Sequence, residues 1–217
     1  MSKDLKRTFD QIIRQVPPNY YDAGVKTNIL QKYWHNKKWQ TLSKFLKGLE
    51  KGKLLDIGCA DGITTYQIYK NFPKLKITGL DYYKKAIDFA RKTKPQIKFV
   101  VGDAHKLPFK DDNFDIVTTI ETLEHLHSPH VVLAEIRRVL KSDGYLIIVQ
   151  DTNSLLFRTV WWFWTHWKGS VWKNSHINCV KPEILIRNIK KSEFKINKIE
   201  FINLQMEVFI KAQKIND

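Results

Sequence analysis

The chain has 217 residues, 43% of them apolar, enough for one sizeable core and too many for global disorder. Its formal charge is +15, placed mostly at the ends: net +8 over residues 1–53, +2 over 54–167 and +5 over 168–217. No apolar run reaches the ~18 residues of a membrane-spanning helix, and the N-terminus lacks a signal-peptide core. Cys59 and Cys179 have no metal-ligand or framework spacing. A soluble cytoplasmic protein without a metal site is expected. The basic ends suit an anionic partner, whether nucleic acid, acidic lipid or a phosphorylated substrate, or else a solvated lysine-rich surface.

In chain order, residues 1–50 carry Pro17-Pro18 and then a predicted helix from Lys26 to Lys47, read as an N-terminal cap over a cleft. The core is expected over 51–150. LLDI (54–57) is a short buried strand, and ITTYQIYKNF (63–72) is a helix ended by Pro73. KITGLD (76–81) is a strand, YKKAIDFARKT (83–93) a helix, and IKFVVGD (97–103) and FDIVTTI (114–120) are strands. HVVLAEIRRVL (130–140) is a helix, KSDG (141–144) its stop and turn, and YLIIVQ (145–150) a fifth strand. An aromatic-rich insertion follows over 151–182. PEILIRNIKKSEF (182–194) starts a helix at Pro182, and 198–214 alternates weakly enough for two edge strands, so 183–217 completes the core.

Continuous apolar strands alternating with helices predict a doubly wound, Rossmann-like α/β sheet of about seven strands. It is mostly parallel with an antiparallel edge, and helices cover both faces. Ligands of such sheets bind beyond the carboxyl ends of the strands. Each of those ends carries a carboxylate here: Asp56, Asp81, Asp103, Glu121 and Asp151.

LLDIGCADG (54–62) is the first such end. It lacks the Lys-Ser/Thr of a phosphate loop, and its glycines form GxAxG rather than GxGxxG. Asp56 would repel a pyrophosphate and suit an ammonium. Asp81, 25 residues later, suits a ribose diol. Singly, Asp56 reads equally as a capping carboxylate and Asp81 as a turn residue. Together they describe a nucleoside ligand with a positive amine and no phosphate, which S-adenosylmethionine (SAM) satisfies.

LLDIGCADG, GLDYYKKAIDFA (79–90), VVGDAHKLPF (100–109), FDIVTTIETLEHL (114–126) and EIRRVLKSDGYLIIV (135–149) together resemble the successive motifs of class I SAM-dependent methyltransferases. The similarity is strongest to the branch holding the ubiquinone-pathway O-methyltransferases and many small-molecule methyltransferases. It covers about residues 50–150, and SHINCVKPEILIRNIKKSEFKI (175–196) resembles a later segment of the same branch. The resemblance implies that Gly58, Ala60 and Gly62 shape the loop around the methionine part, with Asp56 at its base. It implies that Asp81 binds the ribose, Tyr82 packs on adenine, and Asp103 and Ala104 meet the adenine edge. Ile120 and Glu121 would face the methionine end. Ala60 departs from the commoner glycine.

A hydroxyl acceptor needs a base, usually histidine. His176 is the first candidate, His125 the second, and His35, Tyr20 and Tyr21 are assigned to the cap. Cys59 reads as a small packed residue. LLFRTVWWFWTHWKGSVW (155–172) holds five of the seven tryptophans and reads as a helix apolar nearly all round. It is expected to be a lid over the acceptor site, a contact for a lipophilic acceptor or membrane surface, or both. The expected activity is methyl transfer to a small or lipophilic acceptor, at oxygen. The rivals are an RNA or protein methyltransferase and a non-catalytic SAM-binding scaffold. The oligomeric state is left open.

Overall fold

The computed structural model describes residues 11–215. Two helices, α1 (Tyr20–Thr27) and α2 (Ile29–Leu46), precede the sheet. The core then runs β1 (Gly52–Ile57), α3 (Ile63–Asn71), β2 (Leu75–Asp81), α4 (Lys84–Thr93), β3 (Lys98–Val101), β4 (Phe114–Ile120), α5 (Pro129–Val139) and β5 (Leu140–Asp151). The aromatic helix α6 (Leu155–His166), α7 (Pro182–Lys191), β6 (Phe194–Ile202) and β7 (Glu207–Lys214) complete it. Short 3-10 turns lie at Leu123–His125 and Ser170–Trp172.

The seven strands take the order β3-β2-β1-β4-β5-β7-β6. The first five are parallel, and β7 runs antiparallel to both β5 and β6. Strand order reverses between β1 and β4, so the crevice for a ligand opens beyond Ile57 and Ile120. Period-two alternation sends neighbouring residues to opposite faces. Leu54, Ile116 and Phe209 pack with Leu42, Phe45, Ile68 and Ile87 under α2, α3 and α4. Leu55, Val117 and Ile210 pack with Val132, Ile136, Leu185 and Ile189 under α5 and α7. Both faces are buried, which is why these strands read as unbroken apolar runs.

Several boundaries differ from expectation. The helix predicted over Lys26–Lys47 is split at Asn28, whose extended backbone ends α1 and whose side chain caps α2 by accepting from the amides of Leu30 and Gln31. Asparagine competes for backbone donors in this way and favours caps over helix interiors. The KSDG turn lies inside β5. Its pairing with β4 jumps from Phe114–Leu140 to Ile116–Tyr145, and Asp143 takes a left-handed φ of 61°. The aromatic helix stops at His166, and α7 stops at Lys191, where Phe194 turns inward to start β6.

Candidate active site: a cofactor cleft and a buried carboxylate cluster

The loop after β1 is built on left-handed residues. Gly58 has φ 75° and its amide donates to the Leu80 carbonyl at 2.8 Å. A Cβ there would lie 2.2 Å from Thr122 Oγ1, so only glycine fits the close approach. Ala60 also sits at positive φ, 47°, and its amide donates to Asp81 Oδ2 at 2.9 Å. That backbone accounts for the commoner glycine at this position.

Asp56 is buried and accepts from Thr65 Oγ1 at 2.6 Å and Thr118 Oγ1 at 2.8 Å. Burial pushes its carboxyl up to about 6 despite those two bonds. Asp81 Oδ1 accepts from the Tyr83 amide at 2.8 Å, and burial raises its carboxyl as well. Asp103 Oδ1 accepts from the amide of His105 at 2.9 Å and from its Nδ1 at 2.7 Å. The His105 ring stacks on His127 at 3.9 Å.

Asp56, Gly58, Ala60, Asp81, Tyr82, Asp103, Ala104, Ile120, Glu121 and His125 all line one cleft, joined by the anticipated cap residues Tyr21 and His35. Gly62 does not line it. Gly62 takes φ 74° at the head of α3 and packs on Phe99, so it shapes the turn from behind. Cys59 is buried, and burial raises its thiol well above the ordinary value, which leaves it unreactive.

His176 is also outside this cleft. Its ring stacks on Trp161 at 4.1 Å and lies in a neighbouring trench with Arg158, Trp162 and Lys173. Burial drives its imidazole down to about 2. Its Nε2 is 3.7 Å from Asp151 Oδ2. His125 takes the place on the cleft wall. Its Nδ1 donates to the Ser175 carbonyl at 2.9 Å, which makes Nε2 the basic nitrogen, and burial lowers its pKa.

Sequence reasoning missed what surrounds His125. Glu121, at a left-handed φ of 49°, binds Lys38 Nζ from α2, and Lys38 also lies 3.6 Å from Glu207 Oε1. Glu124, Asp151 and Glu207 are buried beside them. Burial pushes Glu124 up to about 8 and Glu207 up to about 7, while Lys38 holds Glu121 below its ordinary value. Both Glu124 oxygens lack a hydrogen-bond partner among the described residues. Oxygen and ring nitrogen atoms of Glu124, His125 and His176 lie within 4.8 Å of one another, close enough to share a cation, and Glu121, Asp151 and Glu207 converge equally closely around Lys38. The signal for Lys38, one of four lysines in KYWHNKKWQTLSKF, was its helical spacing with Leu42 and Phe45 on the face bound for the core.

The sheet order and this cleft are similar to those of class I SAM-dependent methyltransferase domains. Residues 55–148 match the "Methyltransferase domain" family. It is 32% identical over 149 residues to a demethylmenaquinone methyltransferase of Thermotoga maritima, covering 68% of this chain and 62% of that one. It is 36% identical over 102 residues to a fatty-acid O-methyltransferase of Mycolicibacterium smegmatis, covering 46% and 37%. The chain therefore spans less than two thirds of these relatives' length. A solved protein from Pyrococcus horikoshii OT3 has the same fold at TM-score 0.74 and 20% identity, over 93% of this chain and 97% of that one.

Proposed function

We propose that the protein transfers a methyl group from SAM to a hydroxyl oxygen of a small lipophilic acceptor. The observation that carries this reading is the acceptor side of the cleft. Beyond Glu121 the wall continues through Tyr21, Leu126, Trp172 and Ile177, with His125 among them. An apolar wall that carries the His125 imidazole suits a greasy molecule that must lose a proton. The named relatives support the lipophilic part of this reading, since demethylmenaquinone and fatty acids are both lipophilic.

The cofactor supplies an activated methyl group, so the chain's work is binding, orientation and removal of one proton. Asp81 binds the ribose hydroxyls, held in place by the Ala60 and Tyr83 amides. Tyr82 covers one adenine face, and Asp103 with the Ala104 amide meets its amino edge. Gly58, Ala60, Ile120 and Glu121 surround the methionine end, with Asp56 bracing the loop from below. His125 Nε2 accepts the hydroxyl proton, and its Nδ1–H, fixed on Ser175, keeps the ring in the receptive tautomer.

The aromatic helix supports an added contact with a lipid surface. Leu155, Phe163, Trp162 and Trp167 are exposed by 79%, 64%, 55% and 72%, beside Arg158 and Lys168. That combination suits a membrane interface. No helix among the described residues is long and apolar enough to cross a membrane.

The test is methyl-labelled SAM with purified protein in an extract of the source cells, fractionated afterwards. Label in organic-soluble material supports this reading. Label in RNA or protein sinks it. Cofactor binding without any transfer favours a scaffold.

A further inference from the structure

The carboxylate cluster holds more than the transfer reaction uses. Glu121, Asp151 and Glu207 converge where β4 and β5 end and β7 begins, and buried Glu124 lies in the neighbouring group with His125 and His176. Glu124 and Glu207 are 0% exposed and Asp151 is 5% exposed. Among the described residues one ammonium reaches Glu121 and Glu207, and it comes from outside the sheet: Lys38 of α2, bound to Glu121 and 3.6 Å from Glu207. Carboxylates crowded in a low-dielectric site cannot all stay charged without a counterion. Lys38 therefore decides whether Glu121, the member lining the cleft, presents a full negative charge there.

The backbone adds a second constraint. Glu121 holds φ 49°, a costly region for a branched-off side chain, and its amide is tied to the Val149 carbonyl at 2.8 Å. This conformation aims the carboxylate off the end of β4 toward α2. Two further ties of α1 and α2 land on cleft-lining residues. The Asp22 amide donates to Asp61 Oδ2 at 2.7 Å, and His35 Nε2 meets Gln67 Oε1 at 2.8 Å. Asp61 and Gln67 both line the cleft.

We infer that Lys38 is a positioning residue: it holds the Glu121 carboxylate charged and aimed at the cofactor's methionine end, and so makes docking of the α1–α2 cap a condition of tight cofactor binding. The inference rests on the reading above that Glu121 faces that end of the cofactor. Lys38 itself lines the cleft, but its ammonium is engaged by Glu121 and Glu207, so in this scheme it acts on the cofactor through Glu121. A cap that merely packed on the core would need only its apolar face, Leu42, Phe45 and Leu46, which is already buried.

The experiment measures SAM and S-adenosylhomocysteine affinity by calorimetry, with melting temperature recorded alongside. The variants are Lys38→Gln, Lys38→Met, Lys38→Arg, Glu121→Gln and Asp81→Ala. Lys38→Gln and Lys38→Met are expected to weaken SAM binding about tenfold or more, as Glu121→Gln does, and to raise KM for SAM more than they lower kcat. Lys38→Arg keeps the charge and is expected to restore most of the affinity. If Glu121→Gln weakens SAM but Lys38→Gln binds it as the parent does, the positioning role is overturned while the site reading stands. If neither Glu121→Gln nor Asp81→Ala affects SAM, the site reading itself has failed. A charge-neutral variant that melts early yet binds SAM normally where folded also overturns the inference, because it makes Lys38 a stability residue only. Should Lys38→Met fail to fold, Lys38→Gln, which keeps a hydrogen-bond donor and most of the stem, decides.

Discussion

The two halves of the cleft are made differently. The cofactor half is a set of backbone devices: a left-handed loop at Gly58 and Ala60, amides bonded to Asp81, and strand ends that aim Asp56 and Asp103. Its side chains each have nearby partners within a few residues or on the adjacent strand. The acceptor half, with its border on the methionine end, is assembled from parts far apart in sequence. Lys38, Glu121, Glu207, His125 and Ser175 meet there, and its outer helix leaves large aromatic side chains in solvent. The first half can be rigid because its ligand does not change. The second carries the buried charge and exposed apolar surface that a folding optimum would avoid, and residues kept against that preference are where specific chemistry is placed.

Breaking each half should have a different signature. The largest effect is expected from His125→Ala, which should lower kcat on the order of 10²- to 10⁴-fold with SAM affinity nearly kept. Turnover and calorimetry on the same preparation check the split, and unchanged kcat removes His125 as the base. In the parent, burial lowers the His125 pKa, so the neutral base persists to lower pH than an ordinary imidazole's 6.5. The kcat profile should hold through pH 6.5 and fall only on the acid side of it. A loss of activity centred well above 6.5 points to another group.

Asp81→Ala should come next, weakening SAM by ~1.5 to 3 kcal/mol while kcat at saturation stays close to the parent's. An intact affinity takes Asp81 out of the site. The buried acids give a subtler contrast. Glu124 sits near 8 in the folded protein against an ordinary 4.5, so between those values the unfolded chain loses a proton that the folded one keeps. Stability should therefore fall as pH rises from about 4.5 to about 8 and level off above. Glu124→Gln should flatten that slope in thermal melts; an unchanged slope assigns it to other groups. The smallest effect belongs to Ala60→Gly. Relieving a left-handed alanine should add up to ~1 kcal/mol of native-state comfort, offset in part by chain entropy, and leave SAM affinity equal or tighter. Weaker SAM binding in that variant would mean that the methyl group packs on the cofactor.

Most of the sheet was legible before any coordinates, because each strand is an apolar run of the right length and each helix is bounded by proline or a polar turn. Asp56, Asp81 and Asp103 were legible as strand-end carboxylates for the same reason: in a parallel sheet, sequence position along the strand places a residue at the ligand-binding edge. Two placements needed the tertiary structure: Gly62 shapes the loop from behind, against Phe99, and the stack with Trp161 carries His176 into the next trench.

What the sequence determined by itself was the doubly wound core and the cofactor edge, since local periodicity and the parallel-sheet rule suffice for both. Which histidine reaches the cleft, which lysine neutralises the carboxylates, and that Glu124 and Glu207 are buried at all were decided by the tertiary structure alone. These depend on how α2, β7 and the 170–180 segment close over the ends of β4 and β5. No local pattern encodes contacts such as Lys38 with Glu121 or His125 with Ser175, which lie 83 and 50 residues apart.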